Sequence, residues 1–242
     1  MKKHFIFLIT ILLLFLTFVF LIFKIEKYRY ELWQEMQSSK IIHQEKPSKF
    51  VLDVPYINEA PDGNFSGNWK NACEEASMTM IEKYYAGQKT VGIMEAMSFM
   101  QNLFDIEDRL YGSNDDTDTV RTARLMNDYL SYSAIIKDNP TIEEIKKQLL
   151  KKRPVMSFHY GYDLHNSNIP FAVHGTYYHT MVIVGYDDTT KEFITHDDGD
   201  QKFGANHRYG YNLFMNSLHD YNFALNKTNG PSRVIFTNPN KK

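Results

Sequence analysis

The chain has 242 residues, 43% of them hydrophobic, 14% aromatic and 23% charged, with a net charge of −2. That length allows one or two domains, the apolar content is too high for a disordered chain, and the near-neutral charge gives no field that draws it to nucleic acid. Cys73 is the only cysteine, so no intrachain disulfide can form. An extracytoplasmic location stays open, because a domain of this size builds a core without covalent staples.

The first 30 residues differ from the rest. Met1-Lys2-Lys3-His4 precedes an uncharged, almost wholly apolar run from Phe5 to Phe23. At about 1.5 Å per residue such a run spans the ~30 Å hydrocarbon core of a bilayer. A cleaved signal peptide would show an apolar stretch of roughly 7–15 residues and a small-residue cleavage site. Here the run ends in Leu21-Ile22-Phe23-Lys24, so residues 1–30 read as a single-pass anchor through 5–23. Basic residues flank both ends, Lys2 and Lys3 against Lys24, Lys27 and Arg29, so the positive-inside rule does not choose an orientation. A short leading tail stays inside, which places the following domain outside. Residues 31–49 read as a polar juxtamembrane spacer, and 50–242 as the folded domain.

Within that domain Phe50–Ile57 alternates as a strand. Residues 58–71, with Pro61, Gly63 and Gly67, form a loop. Ala72–Tyr85 has helical spacing, with Gly87 as its stop. Thr119–Tyr132 and Thr141–Lys151 are further helices, the second opened by a Thr141/Glu144 capping box. After Pro154 the pattern turns to strands: Val155–Tyr160, Thr180–Tyr186, Glu192–His196 and Arg233–Thr237. Helices before antiparallel strands make an α+β domain.

Cys73 opens the first of these helices. The positive end of the helix dipole favours thiolate, the nucleophilic form, while Glu74 and Glu75 work against it. The plain alternative is a small buried apolar residue. A nucleophilic thiol needs a base, and His179 leads the apolar strand Thr180–Tyr186. If Tyr186 pairs with Thr190 or Glu192, His179 lies opposite Asp197 or Gly199. In either register His179 and Asp197 share a face, within reach of an imidazole–carboxylate hydrogen bond. Asp198 would need the odd register. His159, His165, His174 and His196 compete, with Asp163, Asp197 and Asp198, as metal ligands. They show neither His-x-x-x-His spacing nor a Cys-x-x-Cys clip, so no metal and no cofactor is expected. Asn114–Asp118 lacks the central Gly and terminal Glu of a calcium loop and reads as an acidic helix cap.

Val54-Pro55-Tyr56-Ile57-Asn58-Glu59, then Trp69, then Ala72-Cys73-Glu74-Glu75-Ala76-Ser77 resembles the nucleophile region of a papain-like cysteine peptidase family, numbered thirty-nine. Its members process bacteriocins at double-glycine leaders and include stand-alone, membrane-tethered relatives. His179 through Val184-Gly185-Tyr186-Asp187 is similar to the family's histidine strand, and His196-Asp197-Asp198-Gly199 falls where the family carries its acidic residue. Gly204 to Tyr211, ahead of Phe214-Met215, resembles the stretch that follows.

The resemblance implies a papain-like fold, a helical half plus an antiparallel sheet. It implies Cys73 as nucleophile, His179 as general base and acid, and Asp197 as its orienter, acting on a peptide or protein substrate. Papain-like enzymes also place a glutamine upstream of the cysteine to donate to the oxyanion. Glu59 stands there, and an ionised carboxylate has only acceptors. Either Asn58 substitutes for it, or burial keeps Glu59 protonated. The expected function is a membrane-anchored thiol peptidase. The alternatives are an inactive relative that binds peptides or cell-wall fragments, and a transglutaminase- or amidase-like acyl transferase.

Overall fold

The computed structural model describes residues 20–33, 46–168, 177–200 and 202–239. The chain divides into two compact units, Met1–Pro47 and Ser48–Lys242. In the first, residues 20–33 are helical and exposed along their length. Ion pairs Lys27–Glu31 (3.8 Å) and Arg29–Glu26 (3.3 Å) lie on the helix surface. Among the described residues no helix is long and apolar enough to cross a membrane. Residues 5–19 of the apolar run read as an anchor lie outside the described residues, as does His174.

The second unit is built on a seven-stranded antiparallel sheet in the order β2-β7-β3-β4-β5-β6, with β1 also on β4. The strands are β1 (Lys49–Val51), β2 (Ser133–Asp138), β3 (Val155–Tyr160), β4 (Tyr178–Asp187), β5 (Glu192–His196), β6 (His207–Gly210) and β7 (Arg233–Asn238). The helices are α1 (Cys73–Tyr85), α2 (Ile93–Tyr111), α3 (Thr119–Tyr129), α4 (Ile142–Leu150) and α5 (Tyr211–Ser217). The α+β class and the helical-half-plus-sheet arrangement are those expected.

Strand β4 is the spine. Every one of its ten residues is buried, because both edges are paired and helix α1 packs on it. A continuous apolar run fits a strand covered on both faces. Helix α1 is equally central: Cys73 through Ile81 are all buried. Ala76, Met78, Met80 and Ile81 join the main core with Met181, Val182, Ile183 and Val184.

Several elements depart from the sequence expectation, each for a visible reason. The strand expected over Phe50–Ile57 pairs only as Lys49–Val51, followed by one bond from Leu52 N to Val184 O (2.8 Å). Beyond Val184 that edge of β4 is taken by β3, whose Val155 faces Ile183, and Pro55 has no N–H to offer a ladder. The helix expected to reach Tyr132 ends at Tyr129, where Leu130 turns extended. Ser131 is there held through its backbone N–H (3.0 Å) and hydroxyl (2.9 Å) by Glu82, which releases Ser133–Asp138 to pair with β7. Helix α2, the longest among the described residues, was not anticipated; Gly92 caps its start and Gly112 closes it with a left-handed φ of 77°. The Thr141/Glu144 capping box is present in full.

Candidate active site

The loop at 54–60, the start of α1, the start of β4 and the turn after β5 converge on one buried site. Glu59, Cys73 and His179 are 7%, 3% and 3% exposed, and Asp197 is fully buried. One ligand-type atom each from Glu59, Cys73 and His179 lies within 4.8 Å of the others. The His179 Nε2 and Asp197 Oδ1 are 2.8 Å apart. The second Asp197 oxygen accepts from the Tyr209 hydroxyl, in a very short bond, and from Asn166 Nδ2 at 3.3 Å. Asn166 also donates to the Tyr209 hydroxyl (3.0 Å) and to Asp200 (3.1 Å). Asp197 is thereby held by Tyr209 and Asn166 before it meets the imidazole.

A β-bulge decides which carboxylate meets His179. Near the hairpin turn β4 and β5 pair as Tyr186↔Phe193 and Gly185↔Ile194, which is neither of the two registers considered from sequence. Continued unchanged, that odd register would turn Asp198 rather than Asp197 toward the face of His179. The register shifts between Ile183 and Gly185, so that Ile183 faces Thr195 and Val182 faces His196. One extra residue on β4 restores the even parity and puts Asp197 on the imidazole.

The charges follow from burial and neighbours. Burial by itself would push the His179 imidazolium down, but the Asp197 charge and hydrogen bond outweigh it and hold its pKa above the ordinary value. Burial likewise works to raise Asp197, and the His179 cation together with the Tyr209 hydrogen bond keeps it below. Both shifts show each group favouring the other's charged form, so Asp197 stabilises the imidazolium once His179 takes a proton. Cys73 behaves otherwise. Burial, then the carboxyl groups of Glu74, Asp198, Glu59 and Asp116, push its thiol well up. The Sγ–H donates to Glu74 Oε2 at 3.1 Å. The helix-dipole contribution expected at this position is overridden, and the resting thiol is protonated.

Glu59 is pushed up to about 8, first by burial and then by Asp197 and Asp116 against the opposing pull of His179. At neutral pH it is a carboxylic acid with a proton to donate. Its backbone N–H is pinned to Asp198 O (3.1 Å). Asn58, the other candidate, spends its amide on the loop: Nδ2 donates to Asp198 O (2.7 Å) and Oδ1 accepts from Ala60 N (2.9 Å).

The competing histidines serve the scaffold. His159 pairs with His179 across β3 and β4 and meets the Ser217 hydroxyl through Nδ1 (2.8 Å). Burial holds it neutral. His196 meets Val54 O through Nε2 (2.8 Å), and His165 caps a short 3-10 turn. Asp118 caps α3 by accepting from Arg121 N (2.9 Å), as read from sequence. Sequence reasoning missed Tyr209, Asn166 and Ser77, whose hydroxyl donates to Asp198 (2.8 Å). Tyr209 lies in the stretch that carried the resemblance; Asn166 gives no local signal. A cavity of about 550 Å³ adjoins, lined by Tyr56, Asn58, Phe65, Phe203 and Gly204 among others.

Two comparisons with known proteins bear on the fold and the family. The chain is similar in structure, with a TM-score of 0.51 and 16% sequence identity, to a Bacillus anthracis protein assigned as a C39-like peptidase and known from a crystal structure; the match covers 80% of this chain and 99% of that one. At that identity the likeness establishes the fold. No curated protein is similar enough to match. The sequence profile of the Peptidase_C39 like family matches residues 51–224, a stretch holding every residue of the site, and by that match the chain belongs to the Peptidase_C39 like family.

Proposed function

We propose that this chain is a membrane-anchored thiol peptidase that cleaves peptide bonds through Cys73, His179 and Asp197, with Glu59 as oxyanion donor. The family supports a papain-like peptidase acting on peptides or proteins. The observation that carries the assignment of roles is the convergence of Glu59, Cys73 and His179 within 4.8 Å, with Asp197 fixing the histidine.

With Nε2–H donating to Asp197, the neutral imidazole keeps its lone pair on Nδ1, the nitrogen left to take the Cys73 proton. The thiolate adds to the scissile carbonyl carbon, and the carbonyl oxygen becomes an oxyanion. Glu59, protonated by its burial, donates to that oxygen as a neutral amide would. The Cys73 backbone N–H adds a second donor, since the first amides of a helix have no intrahelical partner. His179 then gives its proton to the leaving amine. A water, deprotonated by the same histidine, hydrolyses the thioester and returns the thiol.

Residues 5–23 anchor the chain in this reading, with the domain on the outer face. The basis is their length and apolarity. Carbonate-resistant sedimentation of the full chain supports the anchor; recovery of mature protein starting at residue 24 or later refutes it.

A second reading has an observation of its own. The Cys73 hydrogen bond to Glu74 stabilises the unreactive thiol, as suits a relative that binds peptides without cutting them. Labelling with a peptidyl vinyl sulfone decides between the two. The peptidase reading expects Cys73 to react faster folded than denatured, with loss in His179→Ala. Reaction only after denaturation assigns the binding role.

A further inference from the structure

We propose that Glu59, Cys73 and His179 form a binding site for a single divalent transition-metal ion, zinc above all, which holds the thiol in an unreactive, reversible complex. Each of the three side chains offers one ligand atom, a carboxylate oxygen, a sulfur and a ring nitrogen, and these lie within 4.8 Å of one another. All three are buried. Thiolate, imidazole and carboxylate are the donors zinc takes, at about 2.0–2.3 Å. Tetrahedral ligands at those bond lengths stand roughly 3.3–3.8 Å apart, so closure asks for side-chain movements of about 1 Å. Three protein ligands leave the fourth position open to water or a substrate group.

Two further features favour a cation here. A metal-binding histidine characteristically gives its other N–H to a carboxylate, which fixes the ring and raises its basicity. His179 already meets Asp197 in this way at 2.8 Å, and Asp197 is itself held by Tyr209 and Asn166. Asp198 supplies the second feature. Its Oδ1 is fully buried with no hydrogen-bond partner, and an Asp198 oxygen lies within 4.8 Å of a His179 ring nitrogen and an Asp197 oxygen. A buried, unpartnered carboxyl oxygen is costly, and a nearby cation offsets that cost. Glu59 sets the denticity: a neutral amide there would leave only the sulfur–imidazole pair.

Metal binding takes Cys73 as thiolate and Glu59 as carboxylate, both protons passing to solvent, and ties up the two groups that acylation needs. Metal and acyl-enzyme are therefore mutually exclusive. That consequence rests on the peptidase reading; the metal site does not.

The full chain, purified without metal in a non-chelating detergent, is titrated with Co²⁺ and followed by absorption. One equivalent should produce a thiolate-to-cobalt charge-transfer band and tetrahedral d–d bands, both bleached as Zn²⁺ displaces the cobalt, while Mg²⁺ and Ca²⁺ leave them unchanged. Cys73→Ser should lose the charge-transfer band. Glu59→Gln should keep it at saturation but weaken Co²⁺ affinity at least tenfold, and Asp197→Asn should weaken affinity 10–100-fold, as outer-shell partners do. Zn²⁺ should also protect Cys73 from iodoacetamide until a chelator is added. Absence of the band in the wild type, its survival in Cys73→Ser, or unchanged affinity in Glu59→Gln overturns the site. A normal band in a chain that cleaves no peptide supports the site and removes the peptidase reading alone.

Discussion

Substituting Glu59 by glutamine tests the oxyanion assignment through its pH dependence. Burial raises Glu59 to about 8, so the proton it donates is present below that pH and lost above it. Below pH 7 the acid and the amide both donate, and the variant should run within a few-fold of the wild type. One unit above the midpoint only about a tenth of the wild-type molecules keep the Glu59 proton, and two units above about a hundredth. The ratio of variant to wild-type kcat/KM should therefore climb about tenfold by pH 9 and toward 10² by pH 10, levelling at the ~10²–10³ that one oxyanion donor supplies. The acid limb, set by Cys73 and His179, is common to both proteins and cancels in the ratio. An ionised Glu59 also raises the Cys73 thiol, which pushes the alkaline ratio the same way. The assay is initial-rate hydrolysis of one fluorogenic peptide from pH 5 to 10. A ratio flat with pH, or a variant crippled at every pH, refutes the placement of a protonated Glu59 against the oxyanion.

Cys73→Ala and His179→Ala should each abolish thioester formation, read by mass spectrometry. Cys73→Ala should melt close to wild type, while His179→Ala, which leaves the buried Asp197 carboxylate without its partner, should melt lower. Asp197→Asn should retain weak turnover, down about 10²–10⁴-fold, because the amide orients the ring but cannot stabilise the imidazolium; wild-type rates would remove Asp197 from the mechanism. A Cβ at Gly204 would collide with the Asp197 carbonyl oxygen and the Tyr56 hydroxyl, so Gly204→Ala should cut kcat far more than it lowers the melting temperature. Asp116 and Glu107 are each pushed up to about 7, mainly by burial, and with Glu59 they bind more protons folded than unfolded between about pH 4.5 and 8. His179, also raised, loses its contribution in the same direction, so the domain should melt at a higher temperature at pH 5 than at pH 8. Glu107→Gln should recover several degrees at pH 8, at about 2–4 °C per kcal/mol; greater stability at pH 8 than at pH 5 in the wild type would contradict these protonation states.

What the sequence disclosed follows how local each signal is. The Thr141/Glu144 box and strands β3 and β5 are written in neighbouring residues and stand where expected. His179 and Asp197 could be placed on one face from spacing because a hairpin has only two side-chain parities, whereas Cys73 was singled out by its helix-start position and the family resemblance. The right pair emerged, although the actual register starts in the wrong parity and is corrected by a bulge at Val184 that no residue type announces. Ser133–Asp138 is a strand because β7, almost a hundred residues on, offers an edge, and propensity cannot see that edge. The protonation of Glu59 was open in the sequence for a similar reason: an ionised and a neutral carboxyl have the same letter, and only three-dimensional burial separates them.

The carboxyl groups around Cys73 explain why the site is built on acids rather than on charges. Glu59, Glu74, Glu75, Glu107, Asp116 and Asp198 are all raised, each by burial first. Two unit charges 4 Å apart repel by about 4 kcal/mol even at an effective dielectric of 20. Several such pairs would exceed the ~5–15 kcal/mol that holds a domain folded. The fold resolves this by protonation, and the neutral groups become hydrogen-bonding parts: Glu74 accepts from the Cys73 thiol (3.1 Å) and from Thr117 N (2.7 Å), and in the proposed mechanism Glu59 donates its proton to the oxyanion. Asp197 is the exception, held below its ordinary value by His179 and Tyr209. Asp197 is thus the charged partner of His179, while the Cys73 thiol donates to Glu74. On the proposed peptidase reading, the thiolate forms as His179 takes the Cys73 proton against a bound carbonyl.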